Sequence, residues 1–164
     1  DVCSSDLYVP DDGWGTAERI ETANAGDAVR PEVAIDPDGN AIAVWQQSDG
    51  TLNSIWSNRS TLDEGWGRAE RIENDDTYDA HSPHVTAGPE GYAVAVWAQN
   101  DATRTNVWSN RYLPDAGWRT AELVETDDAG DAFQARVAMD PDGNTVAVWR
   151  QSDGAVASIW ANKL

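Results

Sequence analysis

Short apolar stretches rich in Val, Ile, Ala and Trp alternate along the chain with clusters of Asp, Gly, Pro and Asn. Apolar positions never recur at helical spacing, so the pattern predicts strands joined by turns. The spacing predicts a first strand over 31–36 (PEVAID), ended by Pro37-Asp38-Gly39-Asn40. A second follows over 41–47 (AIAVWQQ), ended by Ser48-Asp49-Gly50, and a third over 53–59 (NSIWSNR). A fourth, over 67–73 (GRAERIE), leads through an acidic loop to Pro83. Asp-Gly turns between runs of this length predict an antiparallel meander, and the fold class is all-β.

The pattern is written three times. GWGTAERIET begins at Gly13, GWGRAERIEN at Gly65 and GWRTAELVET at Gly117, a constant step of 52 residues. The tryptophans keep that register: Trp14, Trp45, Trp56, then Trp66, Trp97, Trp108, then Trp118, Trp149, Trp160. Of the 48 positions present in all copies 17 are identical, which marks them as products of duplication. The chain divides into a non-repeat segment 1–12 and repeats 13–64, 65–116 and 117–164, which together form one repeat domain.

In each unit the second strand is apolar on both faces, with Ala43 and Trp45 on one side and Ile42 and Val44 on the other. Such a strand belongs between two neighbouring sheets. The fourth, carrying Glu18, Arg19 and Glu21, reads as a solvated outer edge. Radially packed four-stranded blades have this order, so the expected architecture is β-propeller-like, with three four-stranded antiparallel blades. The consensus VAxDPDGNxxAVWxQSDG…IWxNR…GWGxAExIE resembles repeats of large bacterial surface or secreted proteins. That resemblance implies a propeller and an extracellular or cell-surface location, without an assigned activity. A looser similarity is to the Asp-box of sialidase-like propellers: Ser48-Asp49-Gly50-Thr51 has the residue types but not the spacing.

Closed propellers have about four to eight blades, and three do not make a ring. The repeat phase opens on a fourth-strand segment, 13–21, and closes on a third strand at Leu164. Two expectations follow. Either the chain is a piece of a longer array, or two copies form a six-bladed homodimeric ring, each lending 13–21 to the other's last blade. Asp1 to Leu7 (DVCSSDL) resembles the translated end of a sequencing adapter of the kind met in metagenomic sequence, and is read as non-native together with Cys3, the one cysteine.

Charge narrows the partners. Against 29 acidic residues stand 11 basic ones, for a formal charge of −18. That surface repels phosphate backbones and anionic lipid, so nucleic acid and membranes are poor partners. No apolar run approaches the roughly 20 residues that span a bilayer. Basic proteins, cations and neutral sugars remain.

Asp27, Asp79 and Asp131 recur before the first strands; Asp49, Asp101 and Asp153 recur in the turns after the second. On a four-stranded blade these loops share one face, so the two Asp sets are expected to converge at blade junctions. Trp45, Trp97 and Trp149, with Gln47, Gln99 and Gln151, would lie beneath them. An indole face stacks on a pyranose while Asp and Gln bind its hydroxyls, so this set is the candidate glycan site. Turn capping and wedge filling account for the same residues structurally. Calcium is the one cofactor considered. Asp127, Asp128 and Asp131 form an acidic loop with hard oxygen ligands, mirrored by Asp75, Asp76 and Asp79. The DPDGN runs at 36–40 and 140–144 begin like a calcium loop but lack its later carboxylate, and read as turns. His81 and His84 occur in one copy, on opposite faces of a strand, a poor metal geometry and the mark of chance substitution at loop positions. No nucleophile–base arrangement is recognisable, and no catalytic residue is named. The expected function is a non-enzymatic, lectin-like binding or scaffold module that meets glycans or proteins through repeated contacts. The alternatives are a fragment of a sialidase-like glycoside-processing propeller and an inactive fragment.

Overall fold

A computed structural model of the chain describes residues 13–22, 26–127 and 129–164. Cys3 and the rest of 1–12 lie outside the described residues, as does Asp128. The first sheet is formed by β1 (Ala28–Ile35), β2 (Ala41–Ser48), β3 (Asn53–Thr61), β4 (Gly65–Trp66) and β5 (Glu70–Arg71). The second repeats it with β6 (Ala80–Ala87), β7 (Ala93–Asn100), β8 (Thr105–Leu113), β9 (Gly117–Trp118) and β10 (Glu122–Leu123). The third has β11 (Ala132–Met139), β12 (Thr145–Ser152) and β13 (Ala157–Lys163). Among the described residues all pairings are antiparallel, and a three-residue 3-10 turn, Pro89–Gly91, joins β6 to β7.

The sheets stack face to face, and the two-faced second strand is the reason. Ile42, Val44 and Ile55 of the first sheet, with Ile72, pack against Val85, Ala95 and Trp97 of the second. Val94, Val96 and Val107, with Val124, pack in the same way against Val137, Ala147 and Trp149 of the third. The alternation Val94/Val96 against Ala95/Trp97 in β7 therefore separates into two inter-sheet cores, as the pattern predicts, while Ala43 and Trp45 of the first sheet pack with Ala69, Ile20, Trp56 and Trp66.

Two expectations need correction. The fourth strand of each repeat is not continuous: only Gly65–Trp66 and Glu70–Arg71 pair with β3. Between them the Asn58 side chain enters the ladder, its Nδ2 donating to the Gly67 carbonyl (3.0 Å) and to that of Ile20 (2.8 Å). Asn110 does the same to Arg119 (2.7 Å) and Ile72 (2.8 Å), and Asn162 reaches Val124 (2.9 Å). One amide thus ties the outer segments of two consecutive repeats together. The outer segment is also not wholly solvated, because Glu73 and Glu125 are buried. Each turns inward to accept a backbone N–H of the third strand, Glu73 from Ile55 (2.8 Å) and Glu125 from Val107 (3.1 Å). Burial pushes the Glu73 carboxyl up from its ordinary pKa.

The first strands begin earlier than 31–36 and carry a bulge. In β1 the register slips by one residue between Val29 and Glu32, and the same slip occurs at His81/His84 and Phe133/Arg136. Arg30, Ser82 and Gln134 occupy the bulges with φ of 55°, 55° and 57°. Bulges of this hand favour glycine, so three side-chain-bearing residues there hold costly backbone conformations. Pro31 and Pro83 are tolerated beside them because the first strand is a sheet edge.

Candidate functional site

The loops after the second strands are held by their aspartates. Asp49 Oδ1 accepts from Thr51 N (2.7 Å), Thr51 Oγ1 (2.7 Å) and Leu52 N (2.8 Å). The Leu52 amide, followed by the Thr51 hydroxyl, holds the exposed Asp49 carboxyl down to about 2. Asp101 accepts from Thr103 and Arg104 amides, and also takes Asn106 Nδ2 at 2.8 Å. Asp153 accepts from Ala155 and Val156. Amide donors depress both of these carboxyls, Thr103 chiefly for Asp101 and Val156 for Asp153. Each is an Asx-type cap of its own hairpin.

Asp79 and Asp131 reach those hairpins from the next repeat. Asp79 Oδ1 accepts from Asn53 N (2.7 Å) and Nδ2 (3.0 Å), and Asp131 Oδ1 from Thr105 N (2.9 Å). Their carbonyls meanwhile accept from Asn100 and Ser152, as that of Asp27 accepts from Ser48. Asp79 and Asp131 thus reach the hairpins that Asp49 and Asp101 cap, and brace one repeat against the next. Asp27 makes the backbone contact with an exposed side chain.

Trp45, Trp97 and Trp149 do not line that surface. All three are buried, and each indole N–H donates to the glutamine two residues on, Gln47, Gln99 or Gln151, at 2.8–3.0 Å. Gln99 passes its amide to the Asp75 carbonyl (2.7 Å) and Gln151 to that of Asp127. Trp97 and Trp149 fill the inter-sheet wedges while Gln99 and Gln151 anchor the acidic loops, and Trp45 is buried with Ile20, Trp56 and Trp66, so none of the three indoles presents an open face.

In that acidic loop Asp127 accepts from Ala129 N and Asp75 from Thr77 N. Asp76 takes Ser54 Oγ at 3.4 Å and pairs with Arg71. In the DPDGN turns Asp36 and Asp140 spend their oxygens on Asn40 and Asn144 of the same turn. Among the described residues no three carboxylate, imidazole or thiol groups come together as a metal site.

What the sequence reading passed over is the line along which β1, β6 and β11 meet. Val29-Arg30-Pro31-Glu32, His81-Ser82-Pro83-His84 and Phe133-Gln134-Ala135-Arg136 occupy equivalent positions. No residue in this block is common to all three copies, although Asp-Ala precedes it and Val follows it in each. The structure brings these residues together across the sheets. Arg30 Nη1 donates to Ser82 Oγ, and His81 Nδ1 lies 3.3 Å from the same hydroxyl. His84 Nδ1 accepts from Val137 N at 3.3 Å, so the ring bridges to the third sheet. Burial lowers both imidazole pKa values, helped by Arg30 at His81 and by Arg136 at His84, while Glu32 opposes the shift at His84. The bulge corrects the expectation of opposite faces: His81 pairs with Ala98 and His84 with Val96, two residues on one face of β7, and the imidazoles lie against Ser82 and the Val137 amide respectively. The signal in the sequence was a run of four differing positions set between the shared Asp-Ala and the shared Val.

No family model matches the chain, and no curated protein does. Solved structures do. One is a protein of unknown function from Dyadobacter fermentans, 14% identical with a TM-score of 0.58, over 100% of this chain and 42% of that one. Another is an endo-arabinase from Bacteroides thetaiotaomicron, 13% identical, TM-score 0.50, over 85% of this chain and 55% of the other. A third comes from the GH130 family of mannoside phosphorylases, which contains glycoside hydrolases targeting β-1,2 mannosidic linkages in Candida mannan. It is 11% identical, TM-score 0.51, over 82% and 49%. The chain thus spans about half the length of these proteins. At such identities the likeness speaks for the fold alone: an all-β, propeller-like stack of antiparallel sheets.

Proposed function

We propose that the chain is a non-enzymatic binding module of a secreted or surface bacterial protein, and that its ligand is a carboxylate-bearing glycan met along the line of first strands. The observation that carries this reading is the mixed-charge cluster of Arg30, Ser82, His84 and Arg136 on three strained bulges. On a chain of −18 net charge, two arginines and both histidines gather there. Strained side-chain-bearing bulges are kept where the position of a side chain matters. Asp79 and Asp131 brace hairpins, Asp49, Asp101 and Asp153 cap them, and Gln99 and Gln151 anchor loops, whereas the block at 29–32, 81–84 and 133–136 has no residue common to the three copies. Calorimetric titration against neutral and uronic oligosaccharides tests this. Arg136→Ala weakens acidic-glycan binding tenfold or more, as expected when a charge-assisted contact of about 1.5–3 kcal/mol is lost. Equal binding of neutral and acidic sugars refutes it.

A second reading keeps the ligand at the sheet junctions and rests on Asp49, Asp101 and Asp153, which are exposed and held alike in all three repeats. It predicts similar losses for Asp49→Ala, Asp101→Ala and Asp153→Ala, through many weak contacts. Release of free sugar from a glycan by the chain would instead favour a glycoside-processing role.

A further inference from the structure

The inter-sheet interface is built twice among the described residues, and at the two ends of the stack Val148, Ile159 and Val33 are exposed, while Ala43 and Trp45 of the first sheet are buried with Ile20 of segment 13–22. Val96 and Val107 of the second sheet are 0% exposed beneath the third. Their equivalents on the third sheet, Val148 and Ile159, are 38% and 77% exposed. At the other end Val33 is 60% exposed, whereas its equivalent Val85 is buried under the first sheet.

Hydrogen bonding shows the same complementarity. Glu73 and Glu125 each use Oε2 to take the N–H of Ile55 and Val107. Glu21 is the same residue of the repeat, and its Oε2 is buried with no hydrogen-bond partner. The N–H equivalent to those of Ile55 and Val107 is that of Ile159, on the outer edge of β13. Ile72 and Val124 donate their N–H to the Ile55 and Val107 carbonyls, both at 2.9 Å. Ile20 is their counterpart and Ile159 the counterpart of the acceptors. Asn162 bonds one outer-segment carbonyl, where Asn58 and Asn110 each bond two. Residues 13–22 already lie against the first sheet as the outer segment of a preceding repeat does, with Ile20 packed on Trp45 and bonded to Asn58.

We propose that a second copy of this chain docks head to tail on the third sheet. Its segment 13–22 adds to the edge of β13, Glu21 accepts the Ile159 N–H, and its first sheet covers Val148 and Ile159. The contact is heterologous, so it closes only when the rotations complete a turn. Two copies supply six sheets, the one multiple of three within the roughly four to eight that closed propellers use. The proposal is independent of the ligand reading.

Gel filtration with light scattering tests it on the full chain. The wild type runs at twice the chain mass, while Ile159→Arg and Val33→Arg each run as monomers. Both changes are at exposed positions, so circular dichroism shows the β fold unchanged. An equimolar mixture of the two variants regains a dimer, because the intact first sheet of one still meets the intact third sheet of the other. Glu21→Leu weakens the dimer, and hydrogen exchange finds the Ile159 amide unprotected in that variant. A monomeric wild type overturns the proposal, as does a dimeric Ile159→Arg. A mixture that stays monomeric overturns it too, because the intact first and third sheets then fail to meet.

Discussion

Ile55 and Ile159 are the same residue of the repeat, on the same face of the third strand, yet one is buried and the other 77% exposed. Their local sequences, SIWSN and SIWAN, differ by one residue, and both form the strand the pattern calls for. The difference is entirely in the neighbour. Ile55 meets Trp97, Ala95 and Val85 of the next sheet, while no described sheet covers Ile159. Apolarity in this repeat is written for a partner, and the partner decides which copies turn it into stability.

The sharpest way to break that comparison is at the packed interface. Trp97→Ala, which empties the space of a wholly buried indole, costs about 3–5 kcal/mol in chemical denaturation. Next comes the matched pair. Ile55→Ala loses about 2–5 kcal/mol, whereas Ile159→Ala, measured on the monomer, stays within about 0.5 kcal/mol. Equal losses would mean that stacking is not what gives these residues their worth.

Asn110→Ala comes third, at about 1–3 kcal/mol, because the carbonyls of Ile72 and Arg119 both lose their donor. Asn162→Ala, with one carbonyl at stake, costs less by the same denaturation assay.

The smallest effect is read from the pH dependence of unfolding. Burial raises the Glu73 pKa above its ordinary 4.5, so the folded chain holds that proton to higher pH than the unfolded chain does. Stability from this group is full below 4.5 and falls as pH rises through the folded value. Glu73→Gln flattens that limb. Asp49 runs the other way: its contribution is present above 3.8 and is lost as pH falls toward 2. An unchanged profile in Glu73→Gln would show that the buried carboxyl does not carry the effect.

Much of this architecture was readable in advance. The two-faced second strand, the Asp-Gly turns and the 52-residue step lead to stacked antiparallel sheets, because alternation and turn chemistry are local properties. The junction aspartates were readable as a set, and Asp79 does meet the Asn53 hairpin. Their partners were not, since Asp79 and Asn53 lie in different repeats. The Glu73 position misled for a related reason: a carboxylate in AERIE looks solvated until the Ile55 amide appears beside it. The His81 and His84 block reads as drift in the sequence, because the two histidines occur in one copy alone. Only when β1, β6 and β11 lie side by side do Arg30, Ser82, His84 and Arg136 become one cluster.

The sequence by itself determined the strands, the repeat length, the turns and the two apolar faces of each unit, all set by steric and hydrophobic rules acting over a few residues. Tertiary structure alone decided which of three equivalent faces is buried, which buried glutamate finds an amide, and which divergent residues share a surface. Those outcomes depend on groups 18 to 53 positions apart, a distance over which chain pattern carries no information and only packing does.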